Sequence, residues 1–393
     1  MCEGFSTVID NSYNDSNVVP AMYIDIYTEK VKMKKNSIVY FDLVDLNYAS
    51  FFINGFLHNS RVFDYNFSIS KSCPTSLARF ASDLALQHIL LFQATINGEA
   101  FIFCVDTADS CGNHPHILQG YNIFLLENTK HYFKVNYNKA VVENDLNFKE
   151  YTDKILPIPT FFPLKFPKPW QLLPKLEFLH PSRMLSPRSI RRMKTLLTLC
   201  SLEKLRRLRD TPKDIDIFFV VNYYGTAVHA AEDEFRYQIM REIADHKDIK
   251  AITGFSSHSK LPGKFASFAS KHYLHPRYLH QLSRARVAIY VRGAHDCLSF
   301  KFGQMMALGM PIVGQSLYNN SENMYQYPYF KDQFAYNDPA LIIQKAVALL
   351  NNPEELSLLA EANAHTFDTA FTPEAITARI LEQLRFYDSL QIL

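Results

Sequence analysis

The 393-residue sequence has a single Trp and six Cys, and the Cys are scattered rather than closely paired. Lacking close-set metal-ligand pairs, it offers no spacing for a structural zinc site. Cys2, Cys73, Cys104, Cys111, Cys200 and Cys297 therefore read as reduced thiols of a cytoplasmic protein. Cys104 and Cys111, the nearest two, stand in too loose a polar loop to argue for metal. Excess charge of one sign is missing too. Lys and Arg total 41 against 39 Asp and Glu, a formal net charge of +2, so no field suits non-specific nucleic-acid binding. No run of about 18 apolar residues is present, and none is expected to span a membrane. The stretch MCEGFSTVIDNSYNDSN lacks the basic region and apolar core of a secretory signal.

What is there is ordinary globular composition, 48% hydrophobic and 20% charged, at a length that suggests two domains. Aromatic content is 14%, carried by 31 Phe and 22 Tyr; compositional bias and sugar-stacking platforms account for it equally. In the first half, Ser37–Asp42, His88–Phe92, Ala100–Val105 and Tyr121–Leu126 read as strands, with helical spacing over Cys73–Leu86. This alternation predicts parallel α/β packing. A proline-dense passage, Pro157–Pro187, reads as irregular connecting chain, followed by a basic helix over Pro187–Arg209 with Ser186 as its cap.

The second half has a clearer rhythm. Strands are predicted at Ile215–Val221, Ile249–Thr253, Val287–Val291 and Pro311–Val313. Helices are predicted at Glu232–Asp245, His275–Ala285, Ser299–Leu308, Pro339–Leu350, Pro353–His365 and from Pro373 to about Leu390. That is a Rossmann-like domain. The expected division is 1–210 for an acceptor-binding domain with its linker and basic helix, 211–370 for a donor-binding domain, and 371–393 for a helix crossing back to the first. Two open sheets facing each other would leave a cleft for two substrates beyond their strand ends.

Tyr278–Val313 is the most informative segment. A strand delivers Arg292 and Gly293 to its carboxyl end, and a loop leads to a helix starting at Ser299. Unpaired N–H groups and the helix dipole favour an anion there, with the Ser299 hydroxyl and the Lys301 cation beside it: a diphosphate site. Gln304, one turn past Phe300 and Lys301, could bond ribose hydroxyls. Gly309 and Pro311 close the unit. Arg292-Gly293, Ser299-Phe300-Lys301, Gln304 and Gly309-Met310-Pro311-Ile312 together resemble the donor-binding region of GT-B glycosyltransferases, in particular the exostosin-type and family 1-like enzymes. Those typically carry Arg where Lys301 stands and Glu where Gln304 stands, so bidentate phosphate geometry and a ribose-binding carboxylate are both altered. The resemblance implies an α/β GT-B fold and sugar transfer from a nucleotide-sugar donor. It also implies a chemistry without bound metal or other cofactor.

Further donor-side candidates are Asn222, Tyr223 and Gly225 after the Ile215–Val221 strand, and His258 beyond the next. Arg236 and Arg241 read as solvated charges of a helix. On the acceptor side, Asp106 and Asp109 close the Ala100–Val105 strand and are the candidate catalytic bases, Asp106 first. Asp42, Asn54, His114 and Lys134 are placed with the acceptor. Each acid reads equally as a cap or a loop residue. The basic helix Arg183–Arg209 would suit a peripheral contact with anionic lipid, and hence a glycan or lipid-linked acceptor in surface-glycan synthesis; an interdomain helix with one buried face is the simpler reading. A GT-B-type sugar-nucleotide epimerase and a non-catalytic carbohydrate- or nucleotide-binding module remain alternatives.

Overall fold

The computed structural model describes residues 36–385 apart from 44–45, 71, 79–87, 111–121, 146, 167–197 and 258–259. The first lobe begins with β1 (Ser37–Phe41), α1 (Leu46–Val62), β2 (Asn66–Ser70), β3 (Ile89–Ile96) and β4 (Glu99–Asp106). It continues with α2 (Ile123–Asn128), β5 (His131–Lys134), α3 (Lys139–Asn144) and β6 (Ile155–Pro157), and leaves through α4 (Leu202–Arg207). Its sheet runs β2-β1-β3-β4-β5-β6. The expected all-parallel packing is corrected at β3, which lies antiparallel to both β1 and β4. The cause is local. Asn97 (φ 53°) and Gly98 (φ 89°) make a tight two-residue turn with both φ values positive, which ties β3 to β4 as a hairpin.

A second correction concerns Tyr121–Leu126. Instead of a strand, Asn122 accepts the Leu125 N–H through its side chain and starts α2, and the strand that follows is β5. A short apolar run cannot by itself separate helix from strand. Of the helical stretch predicted over Cys73–Leu86, Thr75–Ala78 is helical and most of the remainder lies outside the described residues.

The second lobe holds β7 (Ile215–Asn222), α5 (Ala230–Asp245), β8 (Ala251–Ser256), β9 (Ala269–Ser270), α6 (His275–Ser283), β10 (Ala285–Tyr290), α7 (Phe300–Ala307), β11 (Ile312–Gly314), α8 (Pro339–Leu350), α9 (Pro353–Thr366) and α10 (Pro373–Gln383). Its sheet is parallel throughout, in the order β11-β10-β7-β8-β9. Pro occupies the first turn of α6, α8, α9 and α10, where its missing N–H costs nothing. The α/β class expected from the sequence is what the structure shows, with a Rossmann-like second lobe and a mixed-sheet first lobe.

Both sheets turn their carboxyl ends toward each other. Asn136, just past β5, accepts the Leu298 N–H from the loop after β10 at 2.8 Å, and Tyr137 O accepts the Asn320 N–H at 2.6 Å. Phe300, at the start of α7, packs its ring on Tyr48 (5.9 Å) and Phe161 (4.9 Å) of the first lobe. One apolar cluster runs through both lobes, from Phe52, Phe92 and Phe103 to Phe302, Met306 and Ile380. α10 lies against α1, where the Asn59 amide bonds Glu374 O at 2.9 Å and Thr377 Oγ1 at 2.8 Å.

That crossing depends on the absence of a side chain at Gly55, where a Cβ would sit 2.2 Å from Pro373 O. Helix propensity alone would make Gly55→Ala stabilising by about 1 kcal/mol. Overpacking against backbone is expected to reverse the sign, with a loss of about 1–3 kcal/mol in urea unfolding. A stabilised variant would mean that the two helices are not in contact.

Candidate active site

The strand order of the second lobe reverses between β7 and β10, and the crevice beyond the carboxyl ends of such a pair is where open parallel sheets bind ligands. Three segments converge there. The turn after β7 is held by Asp233 of α5, which is buried and accepts the N–H groups of Tyr224 (3.0 Å) and Gly225 (2.8 Å). Gly225 has φ +67°, a conformation that costs a side-chain-bearing residue energy.

One turn along α5 stands Arg236, 4% exposed. Its terminal nitrogens donate to Asn222 O, Tyr224 Oη and Arg292 O, each at 3.1 Å. Its guanidinium lies 4.3 Å from the centre of the Tyr224 ring and 3.7 Å from the Asp233 carboxylate. The Nε–H has no acceptor among the described residues. Reading Arg236 as a solvated surface charge is therefore corrected. It ties the end of β7 to the end of β10 from inside. The cavity beside it, about 300 Å³, is lined by Arg236, Val291, Arg292, Asp296 and Gln315.

Lys301 enters from the first turn of α7 and donates to Val220 O at 3.0 Å. It shares a narrow crevice with Ser299, Val221, Tyr278 and Val291. Burial, with the Arg236 charge adding to it, lowers its amine from 10.5 to about 7. The loop that reaches α7 is itself tightly shaped. His295 (φ 57°) and Asp296 (φ 58°) are consecutive left-handed residues, a strain that surrounding contacts must hold. Gly293 donates to Cys297 O at 2.9 Å, and a Cβ there would lie 2.3 Å from Cys297 Sγ.

The first lobe presents the end of β4. Asp106 and Lys134 are both 0% exposed and paired at 3.0 Å. The Asp106 carboxylate also accepts the Tyr132 hydroxyl and, at 2.8 Å, the Ala108 N–H. Enclosed and fully bonded, it cannot meet a substrate hydroxyl, and Lys134 is equally withdrawn from an acceptor. Asp109 differs. It is partly buried, and the Cys297 thiol of the other lobe, His88, His295 and Lys134 are its titratable neighbours. Burial pushes its carboxyl up from the ordinary range, opposed by the thiol and by those neighbours. Burial and the nearby Asp109 push the Cys297 thiol well up, so it stays protonated.

The remaining predicted residues divide. Ser299 lines the crevice at the start of α7, and Asn222 and Gly225 form the turn at the switch point. Tyr223 turns away into a cluster with Phe255 (5.6 Å) and Phe265 (5.1 Å); its neighbour Tyr224 faces the site. Arg292 is occupied by Ser316 O, Ser316 Oγ, Asp296 and Asn337 at 2.7–3.1 Å, so it braces the loop instead of offering itself to phosphate. Gln304 is buried and bonded to His275 at 2.9 Å, which removes it from any open ribose position. Phe300 serves the lobe interface. Asn54 is buried in α1 with its amide toward Lys165 O at 3.4 Å, away from the site. Asp42 lies just past β1, its N–H on Ser70 O at 2.9 Å. His114 and His258 lie outside the described residues, as does most of Arg183–Arg209. At the end of that basic segment, Arg206 and Arg209 pair with Asp368 at 3.0 and 2.6 Å, with Arg206 still exposed. Arg236, Asn136, His88, His295 and Cys297 join the site without having been singled out for it.

No protein-family model matches the chain, and no curated protein does. Similar solved structures include T4 phage BGT in complex with UDP and Mn2+ at 11% identity, covering 68% of this chain and 83% of that one, with a TM-score of 0.29. An Asp-to-Ala mutant of T4 phage BGT in complex with UDP-glucose gives 9% identity, 90% and 98% coverage and a TM-score of 0.34. T4 phage BGT with its UDP-glucose substrate gives 10%, 90% and 97%, and 0.33.

Lys301 should make stability depend on pH in a defined direction. Its folded value of about 7 lies below the 10.5 of the free amine. Below pH 7 both states are protonated and the charge destabilises the fold in full. As pH rises toward 10.5 the folded state holds fewer protons than the unfolded one, and stability recovers. Lys301→Met is expected to be more stable than the parent by a margin that is largest at pH 6 and shrinks by pH 10, read from urea midpoints. A margin independent of pH would show an ordinary lysine.

Proposed function

We propose that the chain is a glycosyltransferase of the GT-B kind, moving a sugar from a nucleotide-sugar donor to an acceptor hydroxyl. The observation that carries this reading is the pairing across the lobes: two cations at the switch point of one sheet, opposite a carboxylate with a raised pKa from the end of the other. Arg236, with a buried Nε–H that finds no acceptor among the described residues, and Lys301 are suited to an anion; Asp109 is suited to a proton.

In the proposed reaction, Asp109 accepts the proton of the acceptor hydroxyl. The oxygen attacks the anomeric carbon of the donor, and the bond from that carbon to the leaving diphosphate oxygen breaks. The negative charge of the diphosphate is met by Lys301, Arg236 and the first amides of α7, without a metal ion. Among the described residues, no three His, Cys, Asp or Glu side chains gather into a metal-binding group. A glycan or lipid-linked hydroxyl on the cytoplasmic side is the acceptor class proposed. The basic run from Arg183 supports a peripheral membrane contact, although its last cations, Arg206 and Arg209, are already paired with Asp368.

Calorimetry with UDP-, GDP-, CMP- and ADP-sugars tests the donor side. Binding at pH 8 is expected to take up a proton as the anion restores charge to Lys301. Lys301→Met should abolish that uptake and weaken affinity about 10–100-fold, as for a lost charge-assisted hydrogen bond of about 1.5–3 kcal/mol. Undiminished affinity in this variant would defeat the proposed donor site. Asp109→Asn should leave donor affinity within about twofold while turnover falls by about 10²-fold or more. Full turnover in Asp109→Asn would remove the base.

A further inference from the structure

Asp109 owes its place to a neighbour that touches neither proposed substrate. The preceding residue, Ala108, is held through both its N–H and its carbonyl. The Ala108 N–H donates to Asp106 Oδ1 at 2.8 Å, and the Ala108 carbonyl accepts from Lys134 Nζ at 3.0 Å and from Asn136 Nδ2 at 3.1 Å. The same Asn136 side chain, 1% exposed, accepts the Leu298 N–H of the second lobe through Oδ1 at 2.8 Å. The amide orientation follows from its partners, since a carbonyl can only accept and a backbone N–H can only donate.

Leu298 lies between Cys297, a neighbour of Asp109, and Ser299, where α7 begins. One link therefore crosses between the lobes beside the acid: Asn136 ties Ala108, the residue before Asp109, to Leu298, the residue after Cys297. That bridge sets the turn carrying the carboxylate against the loop that leads to Lys301. From this geometry we infer that Asn136 is a positioning residue, and that it makes the approach of the lobes and the alignment of Asp109 a single event. The inference rests on the reading of Asp109 as the base.

Asparagine suits the position because it donates and accepts while carrying no charge. Alanine would lose both links. Aspartate has the same shape and would keep the acceptor toward Leu298, but would lose the donor toward Ala108.

The test uses the full chain with Asn136→Ala and Asn136→Asp, read by amide hydrogen exchange at Leu298, donor affinity, and nucleotide release from the same four classes of sugar nucleotide with water as acceptor. In Asn136→Ala, exchange at Leu298 should rise at least about tenfold and nucleotide release at saturating donor should fall about 10–100-fold, the scale on which a misplacement near 1 Å acts. Donor affinity should hold within twofold. Asn136→Asp should keep the Leu298 amide protected and still lose rate, a separation that general loosening of the fold would not produce. Unchanged release alongside an exposed Leu298 amide, or a Leu298 amide still protected in Asn136→Ala, overturns the inference. If the parent releases no nucleotide from any donor, the transferase reading falls. NMR titration of the Asp109 carboxyl then decides the coupling: a value displaced in Asn136→Ala supports it, and an unmoved one overturns it.

Discussion

The buried guanidinium of Arg236 is the constraint on which the site depends. Three of its contacts are to groups at the ends of β7 and β10, Asn222 O, Tyr224 Oη and Arg292 O, and Asp233 on the same helix lies beside it. A charge held this far from water is costly unless it is paired and hydrogen-bonded. Here the bonding partners are the loops that shape the crevice, so the turn after β7, the loop after β10 and the start of α5 are fixed relative to one another. Lys301 then enters a buried space, and burial, with the Arg236 charge adding to it, lowers its amine to about 7. Two cations this close together cost stability, and on the proposed reading that cost prepares the crevice for an anion.

The facing lobe solves the opposite problem. A carboxylate that is to accept a proton must be held close to the cations without being captured by them. The buried pair Asp106–Lys134, bonded additionally to Tyr132, Ala108 N–H and Ala108 O, forms a rigid base for the turn that carries Asp109 outward. Asp109 has a neutral thiol as a neighbour, and its pKa is raised by burial instead of being depressed by an ion pair.

Much of the second lobe was legible. Strands buried on both faces, such as Ile215–Asn222 and Ala285–Tyr290, read as continuous apolar runs, and proline and Gly309 (φ +60°) punctuate the helices. The role of Arg236 was also legible in principle. With Ile239, Met240 and Ile243 it occupies the i, i+3, i+4, i+7 face of α5, and those four are all buried. Its charge suggested water where the periodicity indicated the interior. In the first lobe, Asn97-Gly98 between two apolar runs was a readable hairpin signal, and Asn122 a readable cap. Asn136 carried no such signal. Its partner Leu298 lies 162 residues away, and no local pattern encodes that contact.

The choice between Asp106 and Asp109 shows where sequence reasoning stops. Both acids follow the same strand, and a strand-end acid is a fair candidate for a base. Their fates are separated by register: β4 and β5 pair so that Asp106 stands directly opposite Lys134. That alignment turns the first acid into half of a buried ion pair and leaves the second, three residues on, to reach the other lobe. A one-residue slip in the pairing would exchange the face each side chain occupies. The chemistry available to the turn is thus set by hydrogen bonds in a sheet whose register becomes visible only once the strands are assembled.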